Sequence, residues 1–314
     1  MGIKYLNKFL IEKCKKSSIK KIHFRELESK TIVIDTSIYL YKFSSDDALL
    51  ENFYLLISLF RNYNITPVFV FDGKPPIEKK ELLIQRRIKK KEAEEKYIEL
   101  QKKLESCEEV NDMLLKELEH LKKQSTIISF EDIYNVKELI KAYGITYICA
   151  EGEADILCAQ IAKSSAWGCM SDDMDMFVYG CPRVLRNLNI ENHTITYYDT
   201  ENILNDLNLK LFEFREIAVL SGTDYFNLNQ VLPLTIHATY NYYMKYKKTE
   251  CTINFYQWLI QNTKYIGEND CISLYKINHM FNIENKKFEE FKNGPIDMDS
   301  LQNIMKKEGF IFVA

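Results

Sequence analysis

Two uninterrupted apolar runs, TIVID at 31–35 and PVFVFD at 67–72, each end in an aspartate. A strand covered on both faces loses the alternation of a half-exposed strand, so such runs belong inside a parallel sheet with helices on either side. In open parallel sheets, ligand and catalytic groups collect at the C-terminal strand edge, where Asp35 and Asp72 fall. ITYICA at 145–150 runs in the same way into Glu151 and Glu153, and GCMS at 168–171 runs into Asp172, Asp173 and Asp175. The expected fold class is therefore α/β, with a central, mostly parallel twisted sheet flanked by helices.

Between these strands the pattern is helical. Leu49, Leu50, Phe53, Leu56, Ile57 and Phe60 recur at helical spacing within a helix expected at about 46–62. Residues 77–143, 67 in all, contain neither glycine nor proline and are dense in Lys, Glu and Leu, which predicts long helix, as a hairpin or a coiled coil with a partner. Its start is basic, with Lys79, Lys80, Arg86, Arg87, Lys89, Lys90 and Lys91 against the single Glu81. A helix at about 131–142 should be capped by Gly144. VLRNLN (184–189) and TITYYD (194–199) read as further strands, LFEFREIAVLSGTDY (211–225) as an amphipathic helix, and 233–314 as mostly helical.

Composition narrows the class. With 314 residues, 46% hydrophobic and 28% charged, the chain can bury a full core, and it has no apolar stretch long enough to span a bilayer. MGIKYLNKFLIEKCKK is interrupted by lysines and reads as a short amphipathic helix, not a signal peptide; Leu6 stands where N-myristoylation wants Ser or Thr. The eight cysteines, at 14, 107, 149, 158, 169, 181, 251 and 271, form no CxxC pair and read as small apolar fillers in a reducing, intracellular compartment. A net charge of -3 neither requires nor forbids a nucleic-acid face, which needs only local positive charge.

Asp35, Asp72, Glu151, Glu153, Asp173, Asp175 and Asp224 all stand at ends of strands or helices. Two like charges about 5 Å apart at an effective dielectric of ~20 repel by roughly 3 kcal/mol, so a gathering of carboxylates calls for a cation. Hard, oxygen-only ligation suits Mg²⁺, and hydrolysis of phosphodiesters by two such ions is the chemistry that uses it. Solvated acidic turns are the alternative.

The motifs MGI, IDTSIYLYKF, FVFDGKPP, AEGEAD, SDDMDMFVYG and LSGTDY stand in the order and spacing of the flap endonuclease family of structure-specific 5′ nucleases, which includes the xeroderma-type repair nucleases. The chain resembles that family over residues 1 to about 225, and IDMDSLQNIMKKEGF resembles the end of its nuclease core. The resemblance implies a PIN-like 5′ nuclease fold: an N-terminal nuclease part (1–76), a helical arch or cap (77–130), an internal nuclease part (131–225) and a helical C-terminal region (226–314). It makes the seven acids ligands, direct or through water, of two Mg²⁺ ions, for which Mn²⁺ may substitute. Lys79 and Arg86, seven apart and so expected on one helical face, would stabilise the scissile phosphate; a solvated helix charge is the alternative for each. Tyr41 would stack on a base or else serve as a core tyrosine. Gly2, Lys80, Arg87, Lys89 and Lys90 would contact nucleic acid. Asp155 and Asp172 match no family ligand.

The implied substrate is flap, nicked or gapped DNA, in the nucleus or at a cytoplasmic replication site, with replication or recombination proteins as partners. Two departures bear on this. Tyr5 replaces a usual glycine. The stretch NLNQVLPLTIHATY (227–240) stands where the family carries a glycine-rich, basic hairpin that binds duplex, which leaves Lys245, Lys247 and Lys248 as replacements. Large-DNA-virus members diverge here, and one viral branch cuts messenger RNA, so an endoribonuclease and a non-catalytic scaffold stand as alternatives. SLQNIMKKEGFIF lacks the aromatic register of a sliding-clamp peptide.

Overall fold

The computed structural model describes residues 3–76, 79–105, 112–223, 225, 234–249 and 252–312. The first half of the chain runs α1 (Leu6–Lys13), β1 (Ile19–His23), β2 (Thr31–Asp35), α2 (Thr36–Ser45), α3 (Leu49–Asn62), β3 (Thr66–Phe71), α4 (Lys80–Glu105), α5 (Asp112–Ser125), α6 (Phe130–Ala142) and β4 (Thr146–Cys149). It continues with α7 (Ala154–Ser164), β5 (Gly168–Met170), α8 (Asp175–Tyr179), β6 (Arg183–Asn189), β7 (Thr194–Asp199), α9 (Thr200–Asp206), α10 (Leu211–Leu220), α11 (Ile236–Lys247), α12 (Phe255–Asn262), α13 (Glu268–Met280) and α14 (Met298–Lys307). The chain packs as two compact units, one of residues 1–34 and 155–290, the other of 35–154 and 291–314.

In the first unit β2, β5 and β6 are parallel, with Ile32 opposite Gly168 and Cys169 opposite Val184; β6 to β7 and β7 to β1 are antiparallel. Ile32, Val33 and Ile34 are completely buried, as an apolar run without alternation requires. The strand β1 is a finding, since IKKIH carries two exposed lysines and no buried run; lysines of this kind protect an edge strand from further pairing. Tyr5 precedes α1 with a φ of +61°, a left-handed conformation that favours glycine, and its ring is 67% exposed. Tyr5→Gly is accordingly expected to raise stability by about 0.5–1 kcal/mol in urea unfolding, and Tyr5→Ala to give no such gain. A loss with glycine would show that the ring contributes contacts worth more than the backbone relief.

The same unit holds a carboxyl that makes stability depend on pH. Burial raises Glu216 of α10 from its ordinary 4.5 to about 7, against a smaller opposing pull from the Tyr243 hydroxyl. Between those values the folded chain keeps a proton that the unfolded chain releases, so stability falls as pH rises from about 4.5 to about 7. Glu216→Gln should flatten that decline and gain roughly 2 kcal/mol at pH 8. Urea melts at pH 5 and pH 8 measure it; an unchanged pH slope in the variant would contradict the assignment.

In the second unit β3 and β4 are parallel, Val68 to Phe71 lying opposite Thr146 to Cys149. The stripe Leu50, Phe53, Leu56, Ile57 and Phe60 of α3 is buried, with Phe53 packing on Phe43 at 5.2 Å and Phe69 at 6.1 Å. Residues 36–45 form a helix of their own, whereas sequence reading placed one helix at about 46–62. The C-terminal segment belongs to this unit: Arg61 donates to the Gly294 carbonyl (3.0 Å), Asn293 to the Ile65 carbonyl (2.9 Å) and the Gly294 amide to the Gly144 carbonyl (2.7 Å). Gly144 has φ +65°, and a Cβ there would meet the Pro295 carbonyl oxygen at 2.3 Å, so both cap geometry and close approach demand glycine. Phe310 and Phe312 pack on Tyr54 at 5.4 and 6.3 Å.

The helices α4 and α5 pack on each other with Ala93 and Leu121 buried in the seam, so the chain itself supplies the partner helix that this composition calls for. Lys122 pairs with Asp47, which binds the hairpin beside α2.

Candidate metal centre and nucleic-acid interface

In the second unit the acids are placed by backbone joins. β3 stops at Phe71, and beyond it the Gly73 amide donates to the Gly152 carbonyl (2.7 Å) and the Lys74 amide to the Glu151 carbonyl (3.1 Å). A Cβ on Gly73 would lie 2.0 Å from the Ala150 carbonyl oxygen, so this approach is open only to glycine. The strand end that bears Asp72 is thereby fastened to the turn that bears Glu151 and Glu153. Asp72 is oriented by two donors, Ser37 Oγ at 2.5 Å and the Ala154 amide at 2.7 Å. Asp35 closes β2 and is 6% exposed; it stands at the N-terminus of α2 without capping it. Glu151 is exposed, and Glu153 accepts from Lys79 Nζ at 2.6 Å, with the two side chains 16% and 8% exposed.

Lys79 stands immediately before α4, which begins at Lys80. Lys79 is turned inward onto Glu153, and Arg86 lines a cleft between α4 and α5. That cleft, about 370 Å³, is walled by Arg86, Lys89, Lys90, Lys96, Glu92 and Gln124 among others. Lys90 Nζ donates to the Thr126 carbonyl (2.9 Å) and sits 4.2 Å over the ring of Tyr41. Tyr41 is 44% exposed and is therefore not a core tyrosine. Lys80 and Arg87 are exposed on α4.

In the first unit the turn between β5 and α8 is built from its own polar groups. The Asp173 amide donates to Ser171 Oγ (3.1 Å), and Asp173 Oδ1 accepts from the Asp175 amide (2.9 Å). Asp175 is 2% exposed. Asp172 points to scaffold groups: its carboxylate accepts from the Asn187 amide (2.8 Å) and its carbonyl from Arg186 Nη2 (2.8 Å). Arg186 is itself held by Asn7 at 3.0 Å. Asp155 accepts from the Ile156 amide at the start of α7. Sequence reasoning missed Ser37, Gly73, Asn7 and Arg186 as supports, because each acts on a residue far away in the chain or through the backbone. Of the proposed replacement cations, Lys247 is taken up by Glu213 (3.0 Å) and the Asn208 carbonyl, and Lys245 lies 5.5 Å over the Tyr242 ring.

Gly2 and Asp224 lie outside the described residues, as do 227–233 of the altered stretch. Among the described residues no group of three or more His, Cys, Asp or Glu side chains is gathered closely enough to hold a metal ion. Asp72 and Glu153 are turned to protein donors. The donor chemistry nevertheless fits Mg²⁺ or Mn²⁺, since every candidate ligand is a carboxylate and none is a thiol or imidazole. No helix among these residues is long and apolar enough to cross a membrane.

The XPG N-terminal domain matches residues 1–93 and the XPG I-region residues 144–224. Flap endonuclease 1 of Encephalitozoon cuniculi is 33% identical over 244 residues, covering 72% of this chain and 68% of that protein. A probable RAD2-like endonuclease, 369L of Invertebrate iridescent virus 6, is 28% identical, covering 90% of this chain and 79% of its own length. The catalytic core of Rad2 in complex with DNA substrate superposes with a TM-score of 0.68 at 23% identity, covering 98% of this chain and 95% of that one, a likeness of fold. The chain spans less than two thirds of several curated relatives, 66% of flap endonuclease 1 of Methanococcus aeolicus and 59% of that of Chlamydomonas reinhardtii. With both XPG regions in order and a third of the aligned residues identical across 68% of a flap endonuclease, the chain belongs to the flap endonuclease family, as a divergent member.

Proposed function

We propose that this protein is a divalent-metal-dependent, structure-specific 5′ nuclease that hydrolyses phosphodiester bonds in flap, nicked or gapped DNA during replication, repair or recombination. The observation that carries the reading is the glycine-dependent join at Gly73, which sets Asp72 beside the turn of Glu151 and Glu153 with a buried lysine on the latter. The proposed ligands are Asp35, Asp72, Glu151, Glu153, Asp173, Asp175 and Asp224. Bound Mg²⁺ would supply an activated water and charge stabilisation for the leaving oxygen. Lys79, fixed near the acids by Glu153, carries positive charge toward the scissile phosphate, and Arg86 adds to it from α4. Tyr41, exposed beside Lys90, offers a ring on which a base stacks without regard to sequence, and Lys89 and Lys90 attract the backbone. DNA is the substrate class named for the Rad2 relative. The sites of action follow from the substrate: the nucleus or a cytoplasmic replication site.

Lys79→Ala and Arg86→Ala are each expected to lower kcat by about 100-fold with KM changed little, measured by single-turnover cleavage. Weaker binding at unchanged kcat would contradict these roles. An endoribonuclease is the second reading, favoured by the absence of glycine, lysine and arginine from 227–240. Parallel assays on 5′-flap DNA, gapped DNA and single-stranded RNA separate the two. Flap DNA cut fastest supports the first, RNA cut fastest the second, and no cleavage of any of them a binding scaffold.

A further inference from the structure

Three sulfur atoms meet in the core of the first unit, apart from the acids. Cys169 Sγ on β5 lies 3.7 Å from Met176 Sδ on α8, and Cys181 Sγ, between α8 and β6, lies 3.8 Å from the same Sδ. All three side chains are completely buried. The short helix that carries Met176 ends at Gly180 in a left-handed turn, and the Cys181 amide then donates to the Met176 carbonyl at 3.0 Å, so the backbone itself returns the second cysteine to the thioether. In a trigonal site with metal–sulfur bonds of about 2.3 Å, the sulfurs stand about 4.0 Å apart. The two spacings to Met176 Sδ need an adjustment of only a few tenths of an ångström.

We propose that Cys169, Met176 and Cys181 form a binding site for a soft monovalent metal ion, Cu(I), with Ag(I) as its analogue. Two thiolate sulfurs and a thioether are the donor set that selects Cu(I) over the harder divalent ions. Zn²⁺ demands a fourth ligand in a tetrahedron, and Mg²⁺ demands oxygen. The Cys181 thiol is held well above its ordinary pKa, first by its contact with Cys169 and then by burial, so the empty site keeps its protons. Both cysteines bind as thiolates, so entry of one Cu(I) displaces two protons and uptake strengthens as pH rises. The turn carrying Asp173 and Asp175 is strung between two of the three sulfur ligands.

Anaerobic titration of the whole chain with Cu(I) against bathocuproine disulfonate, in the presence of Mg²⁺, is the test. Wild type should hold one Cu(I) that the Cys169→Ala/Cys181→Ala variant loses, with affinity down at least about 100-fold. Cys14→Ser/Cys149→Ser/Cys271→Ser should retain it. Met176→Leu keeps the volume and the fold, so circular dichroism should be unchanged while Cu(I) affinity falls about 10-fold or more. X-ray absorption should give three sulfur neighbours. Undiminished binding in the double variant, unchanged affinity in Met176→Leu, or an oxygen and nitrogen coordination shell would each overturn the proposal.

Discussion

Asp173→Ala is expected to reduce cleavage of a 5′-flap DNA by about a thousandfold or more, the loss that follows when roughly 4 kcal/mol of transition-state stabilisation is removed. Asp173 stands directly after β5, and its carboxylate has a second, local role: it accepts the Asp175 amide and so shapes the turn. Alanine removes both roles. Asp173→Asn keeps an oxygen for that amide and loses only the charge, so it should melt like wild type and still be inactive. Asp172→Asn keeps an acceptor for the Asn187 amide at a residue turned to the scaffold, and is expected to retain most activity. Single-turnover rates at saturating Mg²⁺, with thermal melts of all three variants, give the comparison. Equal losses at 172 and 173 would show that the turn matters for its shape alone.

Gly73→Ala should also be damaging, although it adds one methyl group to an exposed turn. The new Cβ would lie 2.0 Å from the Ala150 carbonyl oxygen and 2.7 Å from the Glu151 carbonyl carbon, and these are backbone atoms that no rotamer change moves aside. The chain must open the hydrogen bonds from Gly73 and Lys74 to the 151–152 backbone, at a cost of about 2–4 kcal/mol. Asp72 would then shift away from the turn of Glu151 and Glu153, so cleavage should fall by more than about tenfold even at temperatures where the variant is folded. Gly152→Ala is the matched control. Its Cβ would find nothing nearer than the Lys74 carbonyl oxygen at 4.0 Å, and it should behave like wild type in melts and in turnover. Similar behaviour of the two alanines would contradict the join.

The strand ends were legible because burial on both faces leaves an unbroken apolar run, and such a run can end in an acid only where the chain leaves the sheet. The basic hairpin was legible from its long freedom from glycine and proline. What escaped was whatever depends on packing. TSIYLYKFSS shows no helical stripe because α2 buries Ile38, Tyr39, Leu40 and Phe43 on several sides, so periodicity has no polar face to reveal. Lys79 could be placed in a helix by spacing, but where α4 begins is decided by the turn before it. The need for glycine at 73 comes from a carbonyl 77 residues onward at Ala150, which no local pattern encodes. Likewise Cys169 and Cys181 read as fillers until the turn after α8 brought both onto Met176.

The decisive measurement is single-turnover cleavage of a 5′-labelled flap DNA by the purified chain across a range of Mg²⁺ concentrations. The expected result is incision near the junction of flap and duplex, no reaction in EDTA, and a rate that rises more steeply than first order in Mg²⁺, as two ions require. Incision that persists in EDTA, or an intact flap at every Mg²⁺ and Mn²⁺ concentration, would contradict a metal-dependent 5′ nuclease.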